Sequence, residues 1–142
     1  MSFFTLSTLA IMISTTFGGG ATQAIETIDN THGVEVAIPI EDVVTNYFKD
    51  EPILARIAFC ESSFRHYNEK GEVIRGVVDK RDVGVMQINE YYHKSTADRL
   101  GLDLETLSGN LEYARNLYKR QGTKPWGASK ACWTGHQVVM NR

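Results

Sequence analysis

The segment Pro52–Phe64, PILARIAFCESSF, decides the fold of this chain. Its apolar residues recur at the spacing of one helix face: Ile53, Leu54, Ile57 and Ala58. Asp50 is a favourable N-cap, and Pro52 fits the first turn because its missing amide hydrogen has no partner there. The segment therefore predicts an amphipathic helix that packs its apolar face into a core.

Glu61 continues that apolar face, four residues after Ile57, where a carboxylate is unexpected. Partial burial and the negative end of the helix dipole both disfavour the charged form of a carboxyl near a helix C-terminus. Both effects raise the pKa of the Glu61 carboxyl, as a general acid that works at neutral pH requires. The alternative is a solvated glutamate in a frayed last turn.

Two apolar segments follow the predicted helix. Gly84–Asn89, GVMQIN, places one glutamine within an apolar run. This pattern fits a backbone close to a ligand, with the Gln87 amide in a cleft, and it fits a buried strand equally well. The residues around Gly76 predict short extended pieces because they are β-prone: Val73, Ile74, Val77 and Val78.

The rest of the chain predicts two further helices. Asn89 is a suitable N-cap for a helix that ends at Leu100, before Gly101. Asn110 is likewise a suitable N-cap for a helix that ends before Gly122. We therefore expect one domain over residues 42–142, mainly α within the α+β class, with at most one short β-hairpin.

The first 41 residues differ in composition from the rest of the chain. An apolar stretch, Phe3–Phe17, is followed by three glycines and by Ala21–Ala24, a pattern typical of a secretory signal peptide over residues 1–24. The stretch is shorter than the about 20 apolar residues of a membrane span, and a buried helix is the alternative. Residues 25–41 are acidic and aperiodic, which predicts a linker. We therefore expect an exported protein with no stable membrane span.

The charges are unevenly distributed along the chain. The 142 residues include 15 Lys and Arg and 17 Asp and Glu, which gives a formal charge of −2 and argues against a general nucleic-acid binder. All of the basic residues lie after residue 41, and no acidic residue follows Glu112. This positive end fits either a solvated surface or attraction to an anionic polymer.

Cys60 and Cys132 are the two cysteines of the chain. In an exported protein an even number of cysteines favours a disulfide, whereas two buried thiols are the alternative in the cytosol. Two cysteines cannot form a structural zinc site alone, and His66, His93 and His136 lack the spacing of metal ligands. We therefore expect neither a metal nor another cofactor.

Three motifs in this order resemble the soluble lytic transglycosylase domain of the lysozyme-like superfamily. They are Ala58–Phe64, AFCESSF, then GVMQIN at residues 84–89, and then Asn110-Leu111 at the start of a helix. The segment from Tyr118 through Trp126 to Cys132 is also similar to resuscitation-promoting factors. In those proteins a cysteine directly before the catalytic glutamate is bonded to a cysteine near the C-terminus, which implies a Cys60–Cys132 disulfide here. The resemblance covers residues 50–133.

The resemblance implies an enzyme that cleaves the β-1,4 bond between N-acetylmuramic acid and N-acetylglucosamine in peptidoglycan. Glu61 would protonate the leaving oxygen and then deprotonate the muramoyl 6-hydroxyl, which closes a 1,6-anhydro ring. Residues that the resemblance implies as substrate contacts are Ser62, Met86, Gln87 and Asn89. Tyr113, with Tyr118, lies near the place of the family's tyrosine and is a candidate substitute for it, although an ordinary amphipathic helix explains both. We expect a monomer that acts on glycan strands at the cell wall, in the periplasm or outside the cell.

Two other functions fit the same residues. A lysozyme-type hydrolase generally uses a second carboxylate, for which Asp79 and Asp82 are available, although both also fit a turn. A wall-binding or signalling module with little or no turnover is the other alternative, because Ala114 and Leu117 stand where the transglycosylase family has Gly and Tyr.

Overall fold

The computed structural model of the chain describes residues 37–135. The predicted signal peptide, residues 25–36 of the predicted linker and residues 136–142 lie outside the described residues. The described elements, in chain order, are α1 (Ile40–Tyr47), α2 (Pro52–Ser62), β1 (Asp82–Val83), β2 (Ile88–Asn89), α3 (Glu90–Arg99), α4 (Leu107–Gln121), a 3₁₀ helix (Lys124–Ser129) and α5 (Lys130–Gly135). Helix α1 includes Ile40 and Glu41, so the folded part begins slightly earlier than residue 42.

The predicted fold class is confirmed: the domain is mainly helical and the described residues contain one short antiparallel sheet. In that sheet Asp82 pairs with Asn89 and Val83 pairs with Ile88, which makes a hairpin around residues 84–87. The prediction of an extended segment at Val77 and Val78 is wrong, since both side chains are exposed and no strand forms there. Val73 makes only an isolated bridge.

Helix α2 forms the centre of the core. Its buried apolar side chains are Leu54, Ala55, Ile57 and Ala58. The N-cap position is Glu51 rather than Asp50, and no side chain caps the helix, so Pro52 at the first position sets its start. At the other end Ser63 and Phe64 have φ of 53° and 58°, which stops the helix directly after Ser62.

The two later helices differ in how well their starts were predicted. Asn89 caps α3 as expected, because its side chain accepts from the amide of Tyr91. Helix α4 begins at Leu107, where Thr106 accepts from the amide of Gly109, so the prediction of Asn110 as its N-cap is wrong. The predicted ends before Gly101 and Gly122 are confirmed.

The C-terminal segment of the described residues closes the core. Trp126 of the 3₁₀ helix and Trp133 of α5 are both buried in the same apolar cluster as α2. A disulfide joins Cys60 of α2 to Cys132 of α5, the pairing expected from the sequence. Across residues 37–135, every helix falls short of the length and hydrophobicity that a membrane span requires.

Candidate active site

A cleft of about 400 Å³ runs between the end of α2, the hairpin and the 3₁₀ helix. Its charged and polar side chains come from elements distant in sequence: Glu61, Asp82, Gln87, Asn89, His93 and Gln121. Rings and apolar side chains form the rest of the wall: Ile88, Tyr92, Leu117, Pro125, Trp126 and Ala128. A mixed wall of rings and amides around two carboxyl groups suits a polar ligand that also has apolar faces.

Glu61 lies half-buried in this cleft. Burial is the main cause that raises the pKa of its carboxyl, and the negative charge of Asp82 raises it further. A hydrogen bond from Ser129 acts in the opposite direction and lowers the pKa: Ser129 Oγ donates to Oε1 of Glu61 at 2.6 Å. The carboxyl is therefore held in place and biased toward its protonated form, and it is not the frayed, solvated side chain of the alternative interpretation.

Asp82 lies in the same cleft as Glu61, at the start of the hairpin. Its Oδ1 accepts from Nδ2 of Asn89 at 2.7 Å, and the same amide group also donates to Asp79 at 3.1 Å. Asp79 does not line the cleft and is paired with Arg81, as a turn residue is. Of the two aspartates considered as a second carboxylate, only Asp82 is placed to act on a ligand beside Glu61.

The hairpin loop Gly84–Gln87 is fixed by four side chains from outside the loop. Ser62 donates to the carbonyl of Val85 at 2.9 Å, which ties the end of α2 to the loop. The Val85 amide donates to Nδ1 of His66, and the Met86 amide donates to Oδ1 of Asn110, both at 3.0 Å. The indole of Trp126 donates to the Met86 carbonyl at 2.9 Å. These hydrogen bonds within the protein fix the loop that carries Gln87 into the cleft.

His66 and Asn110 are fully buried supports of this loop. Burial lowers the pKa of His66, so the ring is neutral; Nδ1 accepts from the loop and Nε2 therefore donates to the carbonyl of Glu105 at 3.0 Å. Asn110 Nδ2 donates to the carbonyls of Val83 and Leu104, each at 3.0 Å. Every polar group that these two side chains bury is matched, as a stable interior requires.

Only glycine fits at position 84, where the loop backbone lies against His66 and Asn110. Its φ is +70°, and a Cβ at this position would lie 2.5 Å from the His66 ring and 2.7 Å from the Asn110 amide. Gln87 also has a positive φ, 47°, and its side chain donates to the Gly84 carbonyl at 2.8 Å. A non-glycine residue with a positive φ is strained, and such residues cluster at functional sites, where the surrounding structure holds the side chain in one position.

The five predicted substrate contacts divide into two groups. Gln87 and Asn89 line the cleft beside Glu61. Ser62, Met86 and Tyr113 do not line it, and the direct contact predicted for them is corrected because all three side chains are buried. Ser62 bonds to the loop, Met86 belongs to the loop, and the Tyr113 hydroxyl lies 3.0 Å from Nδ1 of His93, which does line the cleft. These three residues lie outside the cleft wall and help to fix the residues that form it.

Several residues in the cleft or in contact with Glu61 were not identified from the sequence. Ser129 contacts Glu61 without lining the cleft, lies 68 residues from it in the chain, and is marked by no local pattern. Tyr92 and His93 belong to a helix whose apolar periodicity is weak, and that irregularity is the one signal that could have flagged them. Among the described residues, no group of three His, Cys, Asp or Glu side chains is arranged to hold a metal ion.

Comparisons with known proteins find no protein family, curated protein or solved structure that matches this chain. A functional assignment therefore depends on the geometry of the cleft and on the motifs of the sequence.

Proposed function

We propose that this protein cleaves the glycan strands of peptidoglycan, with Glu61 as general acid and base. The observation that carries the proposal is a half-buried carboxyl with a raised pKa in a cleft walled by amides and rings. Cleavage of a glycosidic bond needs a proton for the leaving oxygen, and a carboxyl with a raised pKa keeps that proton to higher pH than an ordinary glutamate does. The resemblance of the three sequence motifs to lytic transglycosylases supports the choice of substrate.

In the proposed reaction Glu61 performs two proton transfers. It first gives its proton to the glycosidic oxygen as the bond from that oxygen to muramoyl C1 breaks. The resulting carboxylate then removes the proton from the 6-hydroxyl of the same muramoyl ring, whose oxygen bonds to C1. The product is a 1,6-anhydro sugar, the carboxyl regains its proton, and water is not consumed.

Product analysis tests this proposal. The purified, oxidised protein is incubated with isolated peptidoglycan, and the fragments are separated and weighed by mass spectrometry. We expect 1,6-anhydromuramic ends, each lighter by one water than a reducing end. Glu61→Gln should give no fragments, whereas Glu69→Gln, which changes an exposed glutamate, should be as active as the wild type. If wild type and Glu61→Gln bind peptidoglycan equally and neither cleaves it, the protein is a wall-binding module.

Asp82 favours a second candidate, a lysozyme-type hydrolase. It shares the cleft with Glu61, and hydrolytic glycosidases generally use such a second carboxylate as a nucleophile or base. In that case the fragments would carry reducing ends, and Asp82→Asn would lower kcat about 100-fold or more.

The same substitution separates the two mechanisms. In an anhydro-forming enzyme Asp82→Asn should keep most of the activity and move the pH profile to lower pH, because removal of the Asp82 charge lowers the pKa of Glu61. Asp79→Asn is the matched control: Asp79 also accepts from Asn89 but lies outside the cleft.

A further inference from the structure

Ser129 is the last residue of the 3₁₀ helix and contacts Glu61 although it does not line the cleft itself. Its Oγ lies 2.6 Å from Oε1 of Glu61 and 3.2 Å from the carbonyl oxygen of Trp126. A hydroxyl has one proton to donate, and the shorter distance assigns that proton to the carboxylate. Among the described residues Oε2 of Glu61 has no hydrogen-bond partner, so the two carboxyl oxygens are not equivalent.

The position of Ser129 is fixed from both sides. Three residues earlier, Trp126 is buried and donates from its indole to the hairpin loop. Three residues later, Cys132 is bonded to Cys60, the residue directly before Glu61. The disulfide and the tryptophan therefore hold the hydroxyl against the carboxyl without help from a substrate.

We propose that Ser129 is a positioning residue, which holds Oε1 of Glu61 so that Oε2 carries the proton toward a ligand in the cleft. Because Oε1 already accepts a hydrogen bond, a proton on Oε2 costs less than one on Oε1, which would displace that bond. The donated bond also strengthens as the carboxyl loses its proton and becomes charged. The catalytic part of this proposal rests on the proposed function, whereas the effect on Glu61 itself does not.

The test compares three variants with the wild type. Ser129→Ala removes the hydroxyl and Ser129→Thr keeps it. Thr134→Val is the matched control, because the Thr134 hydroxyl bonds only to backbone carbonyls of its own helix. The first readout is the pKa of the Glu61 carboxyl, followed by carbon NMR of its side chain during a pH titration. This readout needs no substrate.

We expect the pKa of Glu61 to rise in Ser129→Ala, because the hydrogen bond that stabilises the charged form is lost. It should return toward the wild-type value in Ser129→Thr and stay unchanged in Thr134→Val. The second readout is kinetic: Ser129→Ala should lower kcat about 10- to 100-fold, the range for a hydrogen bond to a charged group, with KM changed less than about twofold.

Each outcome decides between the positioning role and a merely structural one. An unchanged Glu61 pKa in folded Ser129→Ala overturns the proposal, and so does a loss of activity that Ser129→Thr does not restore. A rise in KM at constant kcat also overturns it, because that result assigns Ser129 to ligand binding. If the wild type cleaves no peptidoglycan, the proposed function fails, and the NMR titration still decides whether Ser129 positions Glu61.

Discussion

At the scale of single residues, the half-buried carboxyl of Glu61 couples stability to pH. Its pKa in the folded state is raised, chiefly by burial, above the value in the unfolded chain. Below the unfolded value, about 4.3, the carboxyl is protonated in both states and costs nothing. As the pH rises through the folded pKa, ionisation favours the unfolded state, so Glu61 lowers the free energy of unfolding at neutral pH.

Glu61→Gln should therefore stabilise the protein at pH 7. The amide oxygen of glutamine can still accept from Ser129, so the substitution removes the charge and keeps the contact. We expect a gain of about 1 kcal/mol, which for a domain of this size is a few degrees in Tm. The gain should vanish below about pH 4, where Glu61 is neutral as well. Thermal unfolding at several pH values measures it, and equal gains at pH 7 and pH 4 would contradict the assignment.

Tyr92 offers a prediction about ligand binding at the same scale. Its ring is 69% exposed and lines the cleft, whereas the neighbouring Tyr91 is 71% exposed and lies outside it. If a sugar ring packs on Tyr92, Tyr92→Ala should raise KM about 3- to 10-fold, the scale of one aromatic contact, with little change in kcat. Tyr91→Ala is the control with matched exposure. Equal effects of the two substitutions would assign the change to the helix surface rather than to the cleft.

At the scale of elements, the hairpin loop requires glycine at position 84 for two reasons: the positive φ and the lack of space for a Cβ. Comparison with Gly101 separates the two. Gly84 and Gly101 have nearly the same backbone angle, φ of +70° and +69°. An added Cβ at Gly84 meets the His66 ring, while at Gly101 it meets nothing within 4 Å. Gly101→Ala should therefore cost only the backbone term, about 1–2 kcal/mol. Gly84→Ala should cost about 2–5 kcal/mol, since overpacking is added.

Urea unfolding of the two glycine variants measures this difference. The excess loss in Gly84→Ala is the cost of fitting a methyl group between the loop and its two buried supports, His66 and Asn110. Similar losses in both variants would mean that the loop moves away from His66 at little cost, and the loop would then be less firmly held than its hydrogen bonds indicate.

Element ends were predictable where a local rule decides them. Asn89 caps α3 through an amide two residues away, and Gly101 and Gly122 end their helices through their own backbone angles. Asn110 has the residue type of a cap but bonds to Val83 and Met86, more than 20 residues away, so its role follows from the tertiary fold. Residue type alone could not distinguish a cap from a buried support.

The candidate site shows the same division between local and distant information. Glu61 was predictable because a carboxylate interrupts the apolar face of its own helix. Gln87 was predictable because it interrupts an apolar run. Ser129 was not, because it reaches Glu61 only after the chain has returned to α2 along the 3₁₀ helix and α5. The sequence therefore identifies the candidate acid Glu61, and the fold identifies Ser129 as its hydrogen-bond partner.

At the scale of the whole molecule, one disulfide joins α2, which carries Glu61, to α5, which directly follows the 3₁₀ helix that ends at Ser129. Cys60 and Cys132 are 72 positions apart, and the loop they close contains the hairpin, α3 and α4. Restriction of the unfolded chain by a loop of this length stabilises the fold by roughly 4 kcal/mol in the chain-entropy model. Because this domain has only a modest core, the bond supplies a large share of its stability.

Removal of the disulfide should therefore affect both the stability of the domain and the pKa of the Glu61 carboxyl. In Cys60→Ser/Cys132→Ser we expect the free energy of unfolding to fall by roughly 2–4 kcal/mol, measured by urea unfolding. At low temperature, where the variant stays folded, the pKa of Glu61 should move upward toward its value in Ser129→Ala, because Ser129 is then held only through Trp126. Cys132 is exposed, so mild reduction of the native protein gives an independent comparison. A large loss of stability with an unchanged Glu61 pKa would show that the tryptophan alone places the hydroxyl.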